Sequence, residues 1–172
     1  WIRMDIHRRE NLTPVRFKAI MGSVAGLLKN GYSVNFIEMS ATRNALDYYN
    51  LRPLIDKMKK NKNFLHTSVW SEYSHVMEFF ESEKCLAALT DSGGVQEELN
   101  LIGKPCLTCR FSTDRPESVF DAKGNILVPP VSSEYILSVI KHITNDTNLL
   151  KKMGNAKKLY GDNVGNKVIS VL

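Results

Sequence analysis

The stretch Thr90-Asp91-Ser92-Gly93-Gly94-Val95-Gln96-Glu97-Glu98 directly follows the apolar run Cys85-Leu86-Ala87-Ala88-Leu89. A short apolar run that ends in turn residues predicts a buried strand. The residues from Val95 to Ile102 then predict a short helix, which Gly103 closes at its C-terminal end. The sequence here therefore predicts a strand, a turn of small residues and a helix, in that order.

The turn between this strand and this helix has the features of an anion-binding site. Gly93 and Gly94 have no Cβ atom, so a ligand can approach the main chain closely and a positive φ costs little. The backbone N–H groups at the start of a helix, with its positive dipole of about half a charge, attract anions such as phosphate. We expect the backbone N–H of Ser92 to face that anion, and Glu97 and Glu98 to accept hydrogen bonds from sugar hydroxyls. Ser-Gly-Gly on its own is equally consistent with a tight turn that binds nothing.

The composition is that of an ordinary globular protein. Its 172 residues are enough for one domain with a substantial core. No apolar run approaches the roughly 20 residues of a membrane span, and the N-terminus lacks the apolar core of a signal peptide. The net charge of +5 suits an anionic ligand but is too small to indicate nucleic acid, and the clustered lysines are typical of a solvated face. We expect a cytoplasmic protein that binds neither nucleic acid nor a membrane.

The three cysteines do not form a metal-binding pattern. Cys106 and Cys109 have the spacing of a zinc ligand pair, but no second Cys or His pair stands at a suitable distance along the chain. Residues three apart in a strand also point to opposite faces of the sheet. With Cys85 they are expected to be buried, reduced thiols, and we expect no metal and no cofactor.

Apolar strands alternate with amphipathic helices along the chain. The predicted strands are 1–6, 32–39, 63–67, 86–90, 105–108 and 125–128. The predicted helices are 14–30, 41–60 with a break at Pro53, 71–81, 95–102 and the segments from Ser132 onward. This alternation predicts an α/β fold with a parallel sheet covered by helices on both faces. Ligands of such sheets bind at the carboxyl ends of the strands, an edge that we call the rim.

Polar residues follow three of these strands and are therefore expected together at the rim. His7 begins the run His7-Arg8-Arg9-Glu10-Asn11, and an imidazole at a strand end can donate a hydrogen bond or transfer a proton near neutral pH. A lone histidine is more often structural, but two arginines and an asparagine directly after it favour a functional role. The other histidines have no partner pattern and are interpreted as incidental; they are His66, His75 and His142.

The loop Cys109–Glu117 also leaves a predicted strand at the rim. It carries two arginines and two hydroxyls, which can bind phosphate oxygens together. These residues are Arg110, Ser112, Thr113 and Arg115. The alternative is a surface loop whose arginines pair with Asp114 and Glu117; its position beside the Gly-Gly turn favours diphosphate binding.

Five motifs occur in a fixed order along nearly the whole chain. They are His7-Arg-Arg-Glu-Asn11, Asp91-Ser-Gly-Gly-Val-Gln-Glu-Glu98, Gly103-Lys-Pro105, Arg110-x-x-Thr113-x-Arg115-Pro-Glu117 and Tyr160-Gly-Asp162. Together they resemble the C-terminal half of a UDP-N-acetylglucosamine 2-epimerase of the non-hydrolysing type. The eight-residue Gly-Gly stretch is the most specific of the five.

The resemblance implies a Rossmann-like domain over residues 1–172 that is one half of a two-domain architecture similar to glycosyltransferases of the B type. The substrate-binding residues would be Ser92, Gly93, Gly94, Glu98, Arg110, Thr113 and Arg115. The Ser-Gly-Gly turn would contact the diphosphate, Glu98 the ribose hydroxyls and Arg115 a phosphate. His7 would be catalytic and face the diphosphate and the sugar.

The family mechanism implied by the resemblance is anti elimination of UDP to give 2-acetamidoglucal, followed by re-addition with C2 inverted. The carboxylates that move the C2 proton would belong to a missing N-terminal domain, so the 172 residues alone would bind a UDP-sugar without turning it over. The full-length enzyme would be a homodimer. Three alternatives remain open: a hydrolysing epimerase, the donor-binding half of a glycosyltransferase, and a non-catalytic nucleotide-binding module.

Overall fold

The computed structural model describes residues 1–161 and 164–171, and these form a parallel six-stranded sheet with helices on both faces. The strands are β1 (Ile2–Asp5), β2 (Val34–Glu38), β3 (Phe64–Ser68), β4 (Ala87–Thr90), β5 (Cys106–Thr108) and β6 (Asn125–Leu127). Their order in the sheet is β3-β2-β1-β4-β5-β6, and every neighbouring pair is parallel. The predicted α/β class and the Rossmann-like parallel sheet are confirmed.

Helices connect successive strands of the sheet, and further helices follow β6. They are α1 (Pro14–Lys29), α2 (Ser40–Tyr48), α3 (Arg52–Lys59), α4 (Tyr73–Glu81), α5 (Gly93–Ile102), α6 (Pro116–Phe120), α7 (Ser133–Asn145), α8 (Thr147–Gly154) and α9 (Val164–Ile169), with a 3-10 turn at Arg9–Asn11. Helices α1 and α7 pack against each other on one face of the sheet, while α4 and α5 cover the other. Within the two described ranges, no helix has both the length and the apolar character needed to cross a membrane.

Several helices differ from the predicted ones. The segment predicted as one helix over 41–60 is two helices, and the break lies at residues 49–51, ahead of Pro53. Proline is tolerated in the first turn of α3 because a backbone N–H there needs no partner within the helix. For the same reason Pro116 can begin α6, a short helix that the sequence did not predict. Helix α5 begins at Gly93, two residues before the predicted start.

The two faces of the sheet differ in polarity at β1. Ile2 and Met4 belong to the main apolar core, which includes side chains of α1 and α7. Arg3 and Asp5 alternate with them and point to the face beneath α4 and α5. The guanidinium of Arg3 stacks on Trp70, 4.7 Å from the ring centroid. All three cysteines are buried and free, as predicted; they are Cys85, Cys106 and Cys109.

His66, interpreted above as incidental, belongs to an ionic cluster at the carboxyl ends of β2 and β3. Its Nε2 lies 2.7 Å from Oε2 of the buried Glu38, which also accepts hydrogen bonds from Arg43 and Arg52. Burial acts to raise the pKa of Glu38, but hydrogen bonds from Arg52, Arg43 and His66 outweigh burial and bring it to about 2. The residues that form this cluster are spread over 28 positions of the chain, so no local pattern indicates it.

The order of the strands places a crevice between β1 and β4. The chain moves outward from β1 to β2 and β3, then returns to the other side of β1 with β4. The crossovers on the two sides leave toward opposite faces, so the loops after β1 and β4 diverge and open a space at the rim. Asp5 and Thr90 are neighbours in the register there, so His7 and Ser92 follow at the same level.

A buried carboxylate lies directly beneath this crevice. Asp5 is 6% exposed and accepts a hydrogen bond from the Thr90 hydroxyl. Burial raises the pKa of Asp5 to about 7, and the bond from Thr90 and the charge of Arg3 oppose that rise only in part. The other ionisable groups that act on Asp5 are Asp91 and Glu98, and Asp5 in turn acts to raise the pKa of the Cys106 thiol.

The free energy of unfolding of Asp5→Asn relative to wild type is expected to be higher at pH 8 than at pH 4. The pKa of Asp5 is about 7 in the folded protein and near 3.8 in the unfolded chain, so the folded state of the wild type loses stability as pH rises through that window. Because one pKa unit corresponds to about 1.4 kcal/mol, the advantage of the variant should grow by roughly 1 to 3 kcal/mol.

Denaturant unfolding of both proteins at a series of pH values measures this difference. Asp121→Asn, which removes a carboxylate from an exposed position after α6, is the matched control and should show no such trend. A constant difference between Asp5→Asn and wild type from pH 4 to pH 8 would contradict the assignment.

Candidate functional site

The carboxylate of Asp91 connects the loops that leave β1 and β4. It is fully buried and accepts hydrogen bonds from the backbone N–H groups of His7 (3.1 and 3.2 Å) and Arg8 (2.9 Å). The side-chain amide of Asn11 donates to the same carboxylate at 2.9 Å. A buried ionised group is stable only when it is hydrogen-bonded in this way. Asp91 therefore fixes the course of the chain after β1 against the end of β4.

Asn11 extends this connection to a third strand. Its Nδ2 also donates to the carbonyl oxygen of Cys109, directly after β5, at 2.7 Å. The ends of β1, β4 and β5 are thus joined through two buried side chains, Asp91 and Asn11. Both lie in the motifs quoted above, but neither was predicted to have a role. The role of Asp91 could have been predicted from its position, because it is an acidic residue immediately after a strand at the point where the strand order reverses.

His7 lies in the crevice where the sequence predicted it. Its Nδ1 is 3.1 Å from Asp91 Oδ1, and this nitrogen is buried although the angle is not that of a regular hydrogen bond. The side chain is 32% exposed, so its exposed surface belongs to the other part of the ring. Asp91 thus contacts both the main chain and the ring of His7, and it holds the imidazole at the rim.

The N-terminus of α5 lies on the opposite side of the crevice. Gly93 and Gly94 form the first helical positions and neither has a positive φ, so their conformational freedom is not used. The first α-helical hydrogen bond runs from the N–H of Gln96 to the Ser92 carbonyl. Within the part of the chain that the structure describes, the N–H groups of Gly93, Gly94 and Val95 have no acceptor. These three groups can bind an anion.

The expectation for the N–H of Ser92 is wrong. It donates to the Thr90 hydroxyl oxygen at 3.0 Å, and that hydroxyl donates in turn to Asp5. A threonine two residues earlier satisfies this donor inside the protein, a local turn that competes with any ligand. Ser92 does lie at the rim, as the residue before the first helical position.

The two glycines differ in their surroundings. A Cβ atom on Gly93 would lie 3.4 Å from both carboxylate oxygens of Asp114 and 3.7 Å from Arg8. A Cβ atom on Gly94 would meet nothing within 4 Å. Gly94 is exposed, so the open approach to the helix is at Gly94, whereas Gly93 allows the side chains beside it to pack closely.

The segment 109–115, which we call the arginine loop, closes one side of the crevice. Arg110 donates from Nε to Glu10 (2.7 Å) and from Nη1 to Asp114 (2.9 Å). Arg8 donates from Nη2 to the same Asp114 carboxylate at 3.3 Å and from Nε to the Asp91 carbonyl oxygen at 3.0 Å. Two guanidinium groups therefore lie near the start of α5 with an acidic residue between them. Pairing of Arg110 with Asp114 is what the surface-loop alternative predicted.

The other predicted residues of this loop contact the side of α5. Arg115 donates to Glu97, and the Thr113 hydroxyl donates to Gln96 at 2.6 Å. The alternative also paired an arginine with Glu117, but within the described ranges Glu117 instead accepts a hydrogen bond from the Tyr160 hydroxyl at 2.6 Å. Asp162, in the same predicted motif as Tyr160, lies outside the described residues.

Glu98, which was predicted to bind the substrate, lies away from the arginine loop. It interacts with the hydroxyl of Tyr73 on α4. Partial burial raises the pKa of Glu98, and Tyr73 and Arg3 oppose that rise. The structure thus brings His7, Ser92, Gly93 and Arg110 to one crevice, and it places Glu98 at the other side of α5.

The chain matches proteins of known family over almost its whole length. A family model described as UDP-N-acetylglucosamine 2-epimerase matches residues 2–172. The UDP-N-acetylglucosamine 2-epimerase of Methanocaldococcus jannaschii is 31% identical over 172 residues, which are 98% of this chain and 43% of that protein. The enzyme of Bacillus subtilis is 43% identical over 74 residues, 43% of this chain and 19% of the relative.

Solved structures agree with these matches. UDP-GlcNAc 2-epimerase from Neisseria meningitidis, bound to UDP-GlcNAc, superposes with a TM-score of 0.79 and 28% identity over 99% of this chain and 43% of that one. The M. jannaschii enzyme in complex with UDP-GlcNAc and UDP gives 0.82 and 26% over 99% and 44%. The chain spans less than half the length of each of these relatives. By the agreement of family model, sequence relatives and fold, it belongs to the UDP-N-acetylglucosamine 2-epimerase family.

Proposed function

We propose that this chain is the UDP-binding, C-terminal half of an enzyme that interconverts UDP-N-acetylglucosamine and UDP-N-acetylmannosamine. The observation that carries the proposal is the crevice at the start of α5, where the free N–H groups of Gly93, Gly94 and Val95 lie beside Arg8 and Arg110. Backbone donors, a helix dipole and guanidinium groups together suit a diphosphate. Family membership and the UDP-GlcNAc complexes of two related structures support the choice of UDP.

The reaction would begin with anti elimination of UDP. The bond between C1 of the sugar and the phosphate oxygen breaks, its electron pair goes to that oxygen, and the C2 proton leaves to give 2-acetamidoglucal. Negative charge therefore develops on the β-phosphate. Positive groups at the crevice stabilise that charge more strongly in the transition state than in the bound substrate, which lowers the barrier. Re-addition of UDP with return of a proton to the other face of C2 inverts that centre.

His7 is the catalytic residue of this half in our proposal. Asp91 fixes its main chain and contacts Nδ1, while the remaining part of the ring stays exposed in the crevice. An imidazole held in this way can donate a hydrogen bond to the β-phosphate as UDP leaves. Because the contact between Nδ1 and Asp91 already orients the imidazole, the ring would not have to move during the reaction.

The remaining residues would hold other parts of the nucleotide. Glu98 would accept hydrogen bonds from the ribose hydroxyls, a role that its partly exposed carboxylate allows. Arg115 and Thr113 would contribute to the phosphate side of the crevice from the arginine loop. Arg115 is 34% exposed and its partner Glu97 is equally exposed, so exchange of that partner for a phosphate costs little.

The other half of the active site would come from a preceding domain. This chain covers 43% of the M. jannaschii relative, and we propose that the carboxylates for proton transfer at C2 lie in a second Rossmann-like domain across the crevice. The complete enzyme would be a homodimer. The 172 residues would then bind nucleotide but not catalyse epimerisation.

The chain should bind UDP at least about tenfold more tightly than uridine, since the diphosphate adds charge-assisted hydrogen bonds worth over 1.4 kcal/mol. Titration calorimetry of the 172-residue chain with each ligand measures the ratio. Raising the salt concentration should weaken UDP binding and leave uridine binding unchanged. Equal affinities for the two ligands would remove the basis for a phosphate site.

Gly94→Ala should weaken UDP binding about tenfold while leaving the stability unchanged or slightly higher. The added methyl group enters the open approach to α5 but meets no protein atom within 4 Å. Alanine in a helix is about 1 kcal/mol more favourable than glycine, so the fold does not suffer. Calorimetry and thermal unfolding of the same samples separate the two effects. Loss of stability with unchanged UDP affinity would indicate a purely structural turn.

Joined to its N-terminal half, the chain should exchange the C2 hydrogen of UDP-N-acetylglucosamine with solvent, whereas the 172 residues alone should not. His7→Ala in the joined protein should lower turnover by roughly 10²-fold, the usual effect of losing a positioned acid or charge stabiliser. Deuterium incorporation at C2 in D2O is the measurement. His142→Ala, on the exposed side of α7, is the control. Normal turnover by His7→Ala would contradict the role of His7.

A further inference from the structure

Asp114 is a carboxylate situated directly at the start of α5. Its Oδ1 accepts a hydrogen bond from Arg110 Nη1 at 2.9 Å, and its Oδ2 accepts one from Arg8 Nη2 at 3.3 Å. Both oxygens lie 3.4 Å from the position of a Cβ atom on Gly93. The side chain therefore rests against the first turn of the helix while bridging two guanidinium groups.

The surroundings of Asp114 are those that a phosphate would use. The first turn of a helix attracts negative charge, and the two guanidinium groups add to that attraction. Partial burial acts to raise the pKa of Asp114, but its own backbone N–H and the charges of Arg8 and Arg110 bring the pKa below its ordinary value. The carboxylate is thus ionised at neutral pH and occupies the position of an anion.

The contacts of Asp114 are also easily exchanged. Its side chain is 45% exposed and that of Arg8 is 36% exposed, so their ion pair contributes little to stability; Arg110 is 12% exposed, but its ion pair with Asp114 has one exposed partner. Asp91, by contrast, is completely buried and fully hydrogen-bonded. Movement of Asp114 away from α5 would therefore leave the junction of β1, β4 and β5 intact.

We propose that Asp114 is an internal anion that occupies part of the diphosphate site and is displaced when UDP binds. The inference rests on the proposed function, because it takes the start of α5 as the phosphate site. Asp114 then lowers the affinity for every ligand that needs Arg8 and Arg110, by the same factor, since only the displaced state can bind them. A ligand without a phosphate does not displace Asp114 and gains nothing from its removal. Asp114 thereby weakens the binding of phosphate ligands and leaves the binding of uncharged ligands unaffected.

The test is Asp114→Asn in the 172-residue chain, titrated with UDP, inorganic pyrophosphate and uridine. We expect UDP and pyrophosphate to bind about two- to fivefold more tightly than to wild type, the range of an exposed ion pair, and uridine to bind equally. Asp121→Asn is the matched control, because it removes the same charge from an exposed position that contacts neither arginine. Asp114→Ser serves as a second variant, and thermal unfolding shows that each variant is folded.

Three results would overturn the inference. Weaker UDP binding by Asp114→Asn would mean that Asp114 orients the two arginines for the ligand. An effect no larger than that of Asp121→Asn would mean that only net charge matters. Equal gains for UDP and uridine would mean that no phosphate contact is involved. Failure of the proposed function is distinguishable, because wild type itself would then bind UDP no better than uridine.

Discussion

The arrangement of the crevice depends on one buried carboxylate. Asp91 accepts hydrogen bonds from the main chain of His7 and Arg8 and from the side chain of Asn11, and no solvent reaches it. Removal of such an acceptor leaves several buried donors unpaired, each at a cost of about 1 to 3 kcal/mol. The loop after β1 could then adopt other courses. The position of the His7 imidazole is thus a consequence of a residue that follows another strand.

The sheet supplies the place where Asp91 can act. Because the strand order reverses between β1 and β4, the loops after these strands part and leave a space between them. The same two strands carry Asp5 and Thr90, whose hydrogen bond continues to the N–H of Ser92. The first free donor of α5 is therefore Gly93 rather than Ser92. A side chain in the sheet determines which backbone groups are available at its edge.

The sequence was sufficient for the features that depend on local periodicity. Six strands, the main helices and the grouping of His7 with Ser92 at the rim follow from apolar patterning and the alternation of elements. It was insufficient for pairings between distant residues. Arg110 with Glu10, Arg115 with Glu97 and Glu38 with His66 join segments up to 100 positions apart, and each acidic side chain has several basic candidates. The start of α5 was also predicted two residues too late. Glycine is a poor helix former, so the two glycines were assigned to the turn, whereas the structure places them in the first turn of the helix.

Burial differs sharply between the two sides of the crevice. The side containing Asp91 and Asn11 is fully buried, whereas on the side of the arginine loop Arg8 and Asp114 are partly exposed. Side chains that are already ordered lose no conformational entropy when a ligand arrives, and exposed long side chains lose about 0.5 to 1.5 kcal/mol each. In the proposed nucleotide site, the entropic cost of binding would therefore fall mainly on the partly exposed Arg8 and Arg115, since Arg110 is only 12% exposed. Substitutions that shorten or stiffen that loop would change affinity through this cost alone, without altering a single contact to the ligand.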